Sequence, residues 1–362
     1  MTIRRVAAAL LLALLTGAAA AQAPASAPPA AAGAHAAAAT LREQVGSPGL
    51  AAAVAVDGAL VWAEGFGWAD LEQKVAAAPD TRFRIGSVSK LFTAALVARL
   101  VEAGKLDLDA PIQRYLPDFP DKGQPITARQ LAGHLAGIRH YLPADFGLPV
   151  KRYASLGEGL AIFDADPLVH APGSAYLYSS YGYNLLGAVA EAAGGRKFLA
   201  ALEEGVLAPL GLAGTQADDV ELIVERRARP YAAAEGGGFQ NEQPIDSSYK
   251  WPSGGLLSTA PDLVRFASAH LADGFLRPET RKLLFTSQAT ADGKETGVGI
   301  AWRIGADAAG RRILHHGGTI EGGRAFLLVY PDALVAVAVL TNLSRARFAE
   351  NEVAALAAPF LP

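Results

Sequence analysis

The sequence contains no cysteine among its 362 residues. That excludes disulfide staples, a thiolate nucleophile and every cysteine-based metal site. No H-E-x-x-H segment is present. His315-His316 is the only adjacent histidine pair, no carboxylate stands at ligand spacing beside it, and His134, His140 and His170 are scattered. A metal enzyme is therefore disfavoured, and no cofactor is expected. Charge is sparse and nearly balanced: 19% of residues are charged, and 32 basic against 35 acidic side chains leave a net charge of −3. The one basic run, Arg226-Arg227-Ala228-Arg229, is short and reads as a solvated helix end, so nucleic acid is not an expected partner. No apolar run is long enough to span a bilayer well; the N-terminal one, Val6 to Leu15, is too short.

What is present is apolar material, 51% of the chain, ample for a large core. Arg4 and Arg5, the apolar stretch to Leu15 and Ala21-Gln22-Ala23 together read as a cleavable signal peptide over residues 1–23. A periplasmic or secreted protein follows, without stable membrane insertion after cleavage. Residues 24–40 are almost only Ala, Pro, Ser and Gly, and are expected to form a flexible linker outside the fold. One catalytic domain is expected over 41–362.

Within that domain both ends read as strands. Leu50 to Val56, the turn Asp57-Gly58 and Ala59 to Trp68 form one hairpin. Ala325 to Tyr330, Pro331-Asp332 and Leu334 to Leu340 form another, with shorter strands at 301–304 and 313–315 and a closing helix at 346–359. Helical spacing dominates between them, at 88–104, 126–136, 155–164, 181–193, 196–208 and 260–272. Neither hairpin is stable alone, so the two ends must pair. The predicted class is α+β: an antiparallel sheet flanked by helices, with a mostly helical subdomain inserted over about 88–240 and a site in the crevice between them.

Three motifs bear chemistry. Ser87-Val88-Ser89-Lys90 opens an apolar run from Leu91 to Val101, which places Ser87 at a helix start and Lys90 one turn on. A serine hydroxyl needs a base, and a lysine walled in by apolar residues tends to its neutral form. Tyr178-Ser179-Ser180 precedes a helix, where a phenol can relay a proton. His315-His316-Gly317-Gly318 ends the strand starting at Ile313, and strand alternation puts His315 and Gly317 on one face and His316 on the other. Each motif alone also has a structural reading: a helix cap with a surface lysine, a tyrosine packed in a core, a strand-end turn with surface histidines.

Taken together, their order resembles the serine β-lactamase and penicillin-binding-protein superfamily, across about residues 41–345. Phe83 to Lys90 resembles the nucleophile segment, Leu131 to Ile138 (LAGHLAGI) the LLtHtSGi segment, Tyr178-Ser179-Ser180 the YSN or YAN motif, and Ser253 to Thr259 the GGlxST loop. Ser248-Tyr249-Lys250-Trp251-Pro252 is similar to the subgroup containing the mitochondrial serine β-lactamase-like protein and its bacterial relatives. The resemblance implies Ser87 as acyl-accepting nucleophile and Lys90 as its base, alone or shared with Tyr178. Tyr178 would protonate the leaving group, and His315, at the first position of a KTG-like or HTG-like motif, would orient Tyr178 and substrate. The N–H groups of Ser87 and Gly318 would form the oxyanion hole, and Ser180, His316 and Gly317 would line the substrate. Ser180 stands where the family has Asn and loses the amide donor. His315 stands for Lys and is a poor fixed cation near neutral pH. Both changes favour a secreted serine hydrolase acting on an ester, amide or peptide-like small molecule over a true β-lactamase or D,D-carboxypeptidase. A retired scaffold is the alternative of another class. Oligomeric state, and whether residues 232–247 form a lid, stay open.

Overall fold

Strands buried on both faces explain the architecture. The computed structural model describes residues 29–362, the side chains of 146–149 excepted. The export segment expected over 1–23 and the start of the linker lie outside the described residues. Strand β1 (Gly49–Val56) sends Ala51, Ala53 and Ala55 into one core, and Leu50, Ala52 and Val54 into a second core behind it. A strand covered on both sides has no polar face to alternate, hence its unbroken apolar run. Asp57 and Gly58 both take positive φ, 48° and 78°, the two-residue turn whose twist suits a hairpin. The turn returns the chain as β2 (Ala59–Asp70), with β3 (Val75–Ala76) at its edge.

The rest of the sheet comes from the far end of the chain: β4 (Arg303–Ala306), β5 (Arg312–Ile320), β6 (Gly323–Tyr330) and β7 (Val335–Thr341). The order is β3-β2-β1-β7-β6-β5-β4, antiparallel throughout, with Leu50 opposite Thr341 and Val56 opposite Val335 where the two ends join. Gly317 and Gly318 lie inside β5, so the strand runs five residues past His315 to Ile320 instead of ending at the motif.

Helix α1 (Pro29–Val45) occupies most of the expected linker. Alanine has the best intrinsic helix propensity, and here it also packs: Ala34, Ala38 and Leu41 recur every three or four residues and are buried. The small side chains let α1 lie close against the C-terminal segment; a Cβ on Gly33 would sit 2.8 Å from Pro359. The front face carries the helices that matter for the site. They are α2 (Ser89–Glu102), with eleven buried residues and only Arg99 exposed, α3 (Ser180–Gly194), the short α4 (Trp251–Gly254) and α5 (Ala260–Ala269). Helix α6 (Glu350–Ala357) covers the back with α1.

Several middle elements differ from the spacing. Only Ala128–Ala132 of 126–136 is helical, and 196–208 breaks into Phe198–Leu202, a π turn at Glu203–Leu207 and Ala208–Leu210 before left-handed Gly211. A helix at Pro278–Leu284 and a hairpin of Tyr231–Ala233 with Phe239–Asn241 carry no periodic signal long enough to read. No helix among the described residues is long and apolar enough to cross a membrane.

Candidate active site

Two glycines let the turn that carries Ser87 lie directly on the sheet. Gly86–Val88 forms a single 3-10 turn ahead of α2, and Gly86 takes φ +50°. A Cβ on Gly86 would lie 2.8 Å from the Thr319 nitrogen; one on Gly318 would lie 1.9 Å from the Ile85 carbonyl oxygen and 2.9 Å from the Ser87 nitrogen. Contacts that short leave no room for a side chain at either position while the turn stays docked on β5. Ser87 is thereby held half-buried at the free edge of β5.

Lys90 lies one turn further on and is fully buried. Its Nζ is 3.2 Å from Ser87 Oγ, 3.1 Å from Ser180 Oγ and 2.6 Å from the Ser253 carbonyl oxygen. Burial, then the nearby Arg303 guanidinium, holds its pKa well below the ordinary lysine value. The Tyr178 ring stands 5.0 Å from the same nitrogen. Burial pushes the Tyr178 hydroxyl up, with Ser87, Arg303 and Ser180 acting in the opposite direction.

Tyr178 is placed by the start of α3. Ser179 caps that helix, its Oγ accepting from the Gly182 N–H at 2.8 Å and donating to the Arg139 carbonyl at 2.7 Å. The Ser179 N–H donates to His134 Nδ1 and the Ser180 N–H to His140 Nδ1, each at 3.2 Å. Both histidines therefore accept at Nδ1 and stay neutral: burial lowers His134 well below its usual value and His140 to about 4. His134 packs 4.5 Å from the Tyr178 ring.

The histidine motif is shifted by one residue from the expected frame. His315 stacks on Phe326 at 5.5 Å and 8°, on the back side of the sheet with Ile313. His316 faces the front, lines the crevice and lies 6.4 Å from the Tyr178 ring. Strand parity decides this: Leu314 and His316 share the front, while Ile313, His315 and Gly317 share the back, where a Cβ on Gly317 would meet Arg324 and Phe326. The His316 Nδ1–H donates to the Gly317 carbonyl at 2.7 Å, which leaves Nε2 as an acceptor. Burial first, then Lys90 and Arg303, hold His316 neutral.

The same register shows which backbone N–H near Ser87 is free, and it is not that of Gly318, the expected oxyanion donor. Ile320 and Gly323 flank the two-residue turn Glu321-Gly322 and form its first ladder pair. Successive pairs alternately exchange backbone hydrogen bonds and direct them outward. Gly318 falls in the bonded set opposite Ala325, so its N–H is spent on β6. Thr319 falls in the other set, and its N–H points off the strand edge toward the nucleophile turn. Strand β4 pairs only as far as His315, which leaves that edge open.

Ser87, Tyr178, Ser180, His316 and Gly317 line one crevice of about 1140 Å³, with Tyr141, Lys250, Thr319 and Arg303. Arg303 lies 5.7 Å from the Tyr178 ring, and no carboxylate among the described residues reaches its guanidinium within 4 Å. Of these, Lys250 lay inside a named sequence segment without a role, as did His134 behind Tyr178; Arg303 gave no signal, being one polar residue in a short edge strand. Among the described residues no three His, Asp or Glu side chains gather closely enough to hold a metal ion.

A family model described as Beta-lactamase matches residues 35–359. Serine beta-lactamase-like protein LACTB, mitochondrial, of Mus musculus is 32% identical, over 83% of this chain and 72% of its own length. Esterase EstB of Burkholderia gladioli is 31% identical, over 77% of this chain and 81% of its own. A D-stereospecific amidohydrolase from Streptomyces superposes with a TM-score of 0.76 at 24% identity, covering 90% of this chain and 98% of that one. With a match this extended laid over a two-ended antiparallel sheet and a helix-borne Ser-x-x-Lys, the chain belongs to the β-lactamase family, within the serine β-lactamase and penicillin-binding-protein superfamily.

Proposed function

We propose that the protein is an exported serine hydrolase that opens ester or amide bonds of small or peptide-like molecules through an acyl-enzyme at Ser87. The observation that carries this reading is the setting of Lys90. The Ser253 carbonyl is solely an acceptor, so a neutral Lys90 spends one N–H there and the other on Ser180 Oγ. Its lone pair then faces Ser87 Oγ at 3.2 Å, the position from which a base removes the hydroxyl proton. Ser180 thus takes over the positioning of the lysine that the expected Asn would share.

The reaction runs in two halves. Lys90 takes the Ser87 proton while Oγ bonds to the substrate carbonyl carbon, and the carbonyl oxygen receives the N–H groups of Ser87 and Thr319. The carbonyl re-forms, the bond to the leaving group breaks, and Tyr178 delivers a proton to the departing oxygen or nitrogen. Water then attacks the acyl-enzyme, gives up a proton to the same relay, and Ser87 leaves with a proton as the acid is released. His316, neutral and accepting at Nε2, orients Tyr178 or the substrate in the role first assigned to His315. Neutral His316 does not replace the family's Lys as a fixed cation, which leaves Arg303 alone to meet a leaving-group carboxylate, and Ser180 provides no amide; both changes favour esters and amides over β-lactams. The esterase among the relatives fits that choice. The charged and apolar N-terminal segment ending at Ala23 supports export.

Intact-mass spectrometry after reaction with an alkyl fluorophosphonate tests the reading. One adduct on the protein and none on Ser87→Ala is expected. No adduct on either refutes it in favour of a binding protein on a retired hydrolase fold.

A further inference from the structure

The crevice holds a second buried lysine that the mechanism leaves unused. Lys250 is 5% exposed, yet its ammonium finds no hydrogen-bond acceptor among the described residues. The carboxylate nearest to it is Glu321, at 3.6 Å and itself 36% exposed, beyond hydrogen-bond distance. An ammonium has three donors and no acceptor, so this one keeps donors free toward the crevice it lines. The side chain is also held rigidly. Its ammonium nitrogen lies 5.4 Å from the centre of the Tyr249 ring, and its carbonyl accepts from the N–H groups of Ser253 and Gly254 at 3.0 and 2.8 Å. Ser253 is the residue whose own carbonyl holds Lys90, so the two lysines share one wall.

The crevice has a direction. The leaving group departs where its proton donor stands, and Tyr178, His316 and Arg303 mark that end. The acyl portion extends the other way, past Thr319 along β5 to Glu321 and α4, where Lys250 lies. We propose that Lys250 is a specificity-determining residue that binds a carboxylate on the acyl portion of the substrate. Glu321 orients the ammonium without saturating it and competes with the incoming carboxylate. The inference rests on the reading of Ser87 as acyl acceptor.

The test compares two fluorophosphonates on the full protein, one with a plain butyl chain and one whose chain ends in a carboxylate. The quantity read is the ratio of their second-order labelling rates. A charge-assisted hydrogen bond is worth about tenfold to hundredfold. Lys250→Met is therefore expected to lower the carboxylate-to-butyl ratio by about that factor, with Lys250→Arg restoring most of it. Glu321→Gln is expected to raise the ratio, and carries the test by itself should Lys250→Met fail to fold. Labelling by both reagents with a ratio that neither substitution moves beyond twofold overturns the assignment of Lys250 and leaves Ser87 as nucleophile. Labelling of the unmodified protein by neither reagent overturns the underlying reading of Ser87 instead.

Discussion

Adding one methyl group at Gly318 should disable the site while sparing the fold. The Cβ of Gly318→Ala would stand 1.9 Å from the Ile85 carbonyl oxygen and 2.9 Å from the Ser87 nitrogen, where ordinary contact begins at 3.4 Å. The obstructing atoms are backbone, so no rotamer change relieves them. The nucleophile turn must withdraw from β5 by about 1.5 Å, carrying the Ser87 N–H away from the Thr319 N–H. Overpacking of this kind costs about 1–3 kcal/mol, a fall in Tm of several degrees for a chain this size. A misplacement of about 1 Å at a reacting centre costs about 10²-fold in rate, and losing an oxyanion donor about 10²–10³-fold. Gly318→Ala should thus lower kcat/KM and the fluorophosphonate labelling rate by at least about 10²-fold while retaining a cooperative melt. Gly317→Ala is the control. Its Cβ points to the back of the sheet, 3.1 Å from the Arg324 guanidinium and 3.2 Å from the Phe326 ring, side chains and not backbone, and should cost less than tenfold. Labelling of Gly318→Ala at the unmodified rate with an unchanged Tm would refute the docking of Ser87 on β5.

His316→Ala should lower kcat/KM by tenfold or more, whereas His315→Ala should leave it within about threefold and instead lose the stacking on Phe326, about 0.5–1.5 kcal/mol seen as a lower Tm. The opposite ranking would return the catalytic frame to His315. Arg303→Gln should move the acid limb of the kcat/KM profile to higher pH. Lys90 acts as a base when neutral, and its pKa is held down by burial and then by Arg303. Removing that positive charge lets Lys90 keep its proton to higher pH, so activity rises later as pH increases. An unmoved limb would show that the guanidinium does not act on Lys90.

Local chemistry was legible in the sequence because its geometry is local. Ser87 and Lys90 are three positions apart on one helix, so their meeting needs only the helical repeat. The hairpin around Asp57-Gly58 and the pairing of the two ends likewise follow from turn residues and unsatisfied edges. The helix at Pro29–Val45 was hidden by its composition: an alanine-rich run is a linker in isolation and a helix once a face can be buried. The parity of β5 was hidden for a related reason. Ile313 and Leu314 are both buried, one in each core, so hydrophobicity marks neither face as the inner one. A strand covered on both sides gives no sign of which histidine meets the substrate.

The sequence alone determined the family, the α+β class and the meeting of Ser87 with Lys90, because each depends on short-range spacing and on which residue types stand at the motif positions. The tertiary structure decided that His316, not His315, enters the crevice and that Thr319, not Gly318, has a free N–H, because both depend on register counted from the turn at Glu321-Gly322. It also decided that Arg303, beside Tyr178, and Lys250, beside Glu321, line the same crevice as Ser87. They are carried there by an edge strand and by the residue that precedes a short helix, both distant in sequence from Ser87, and only packing brings them to one crevice.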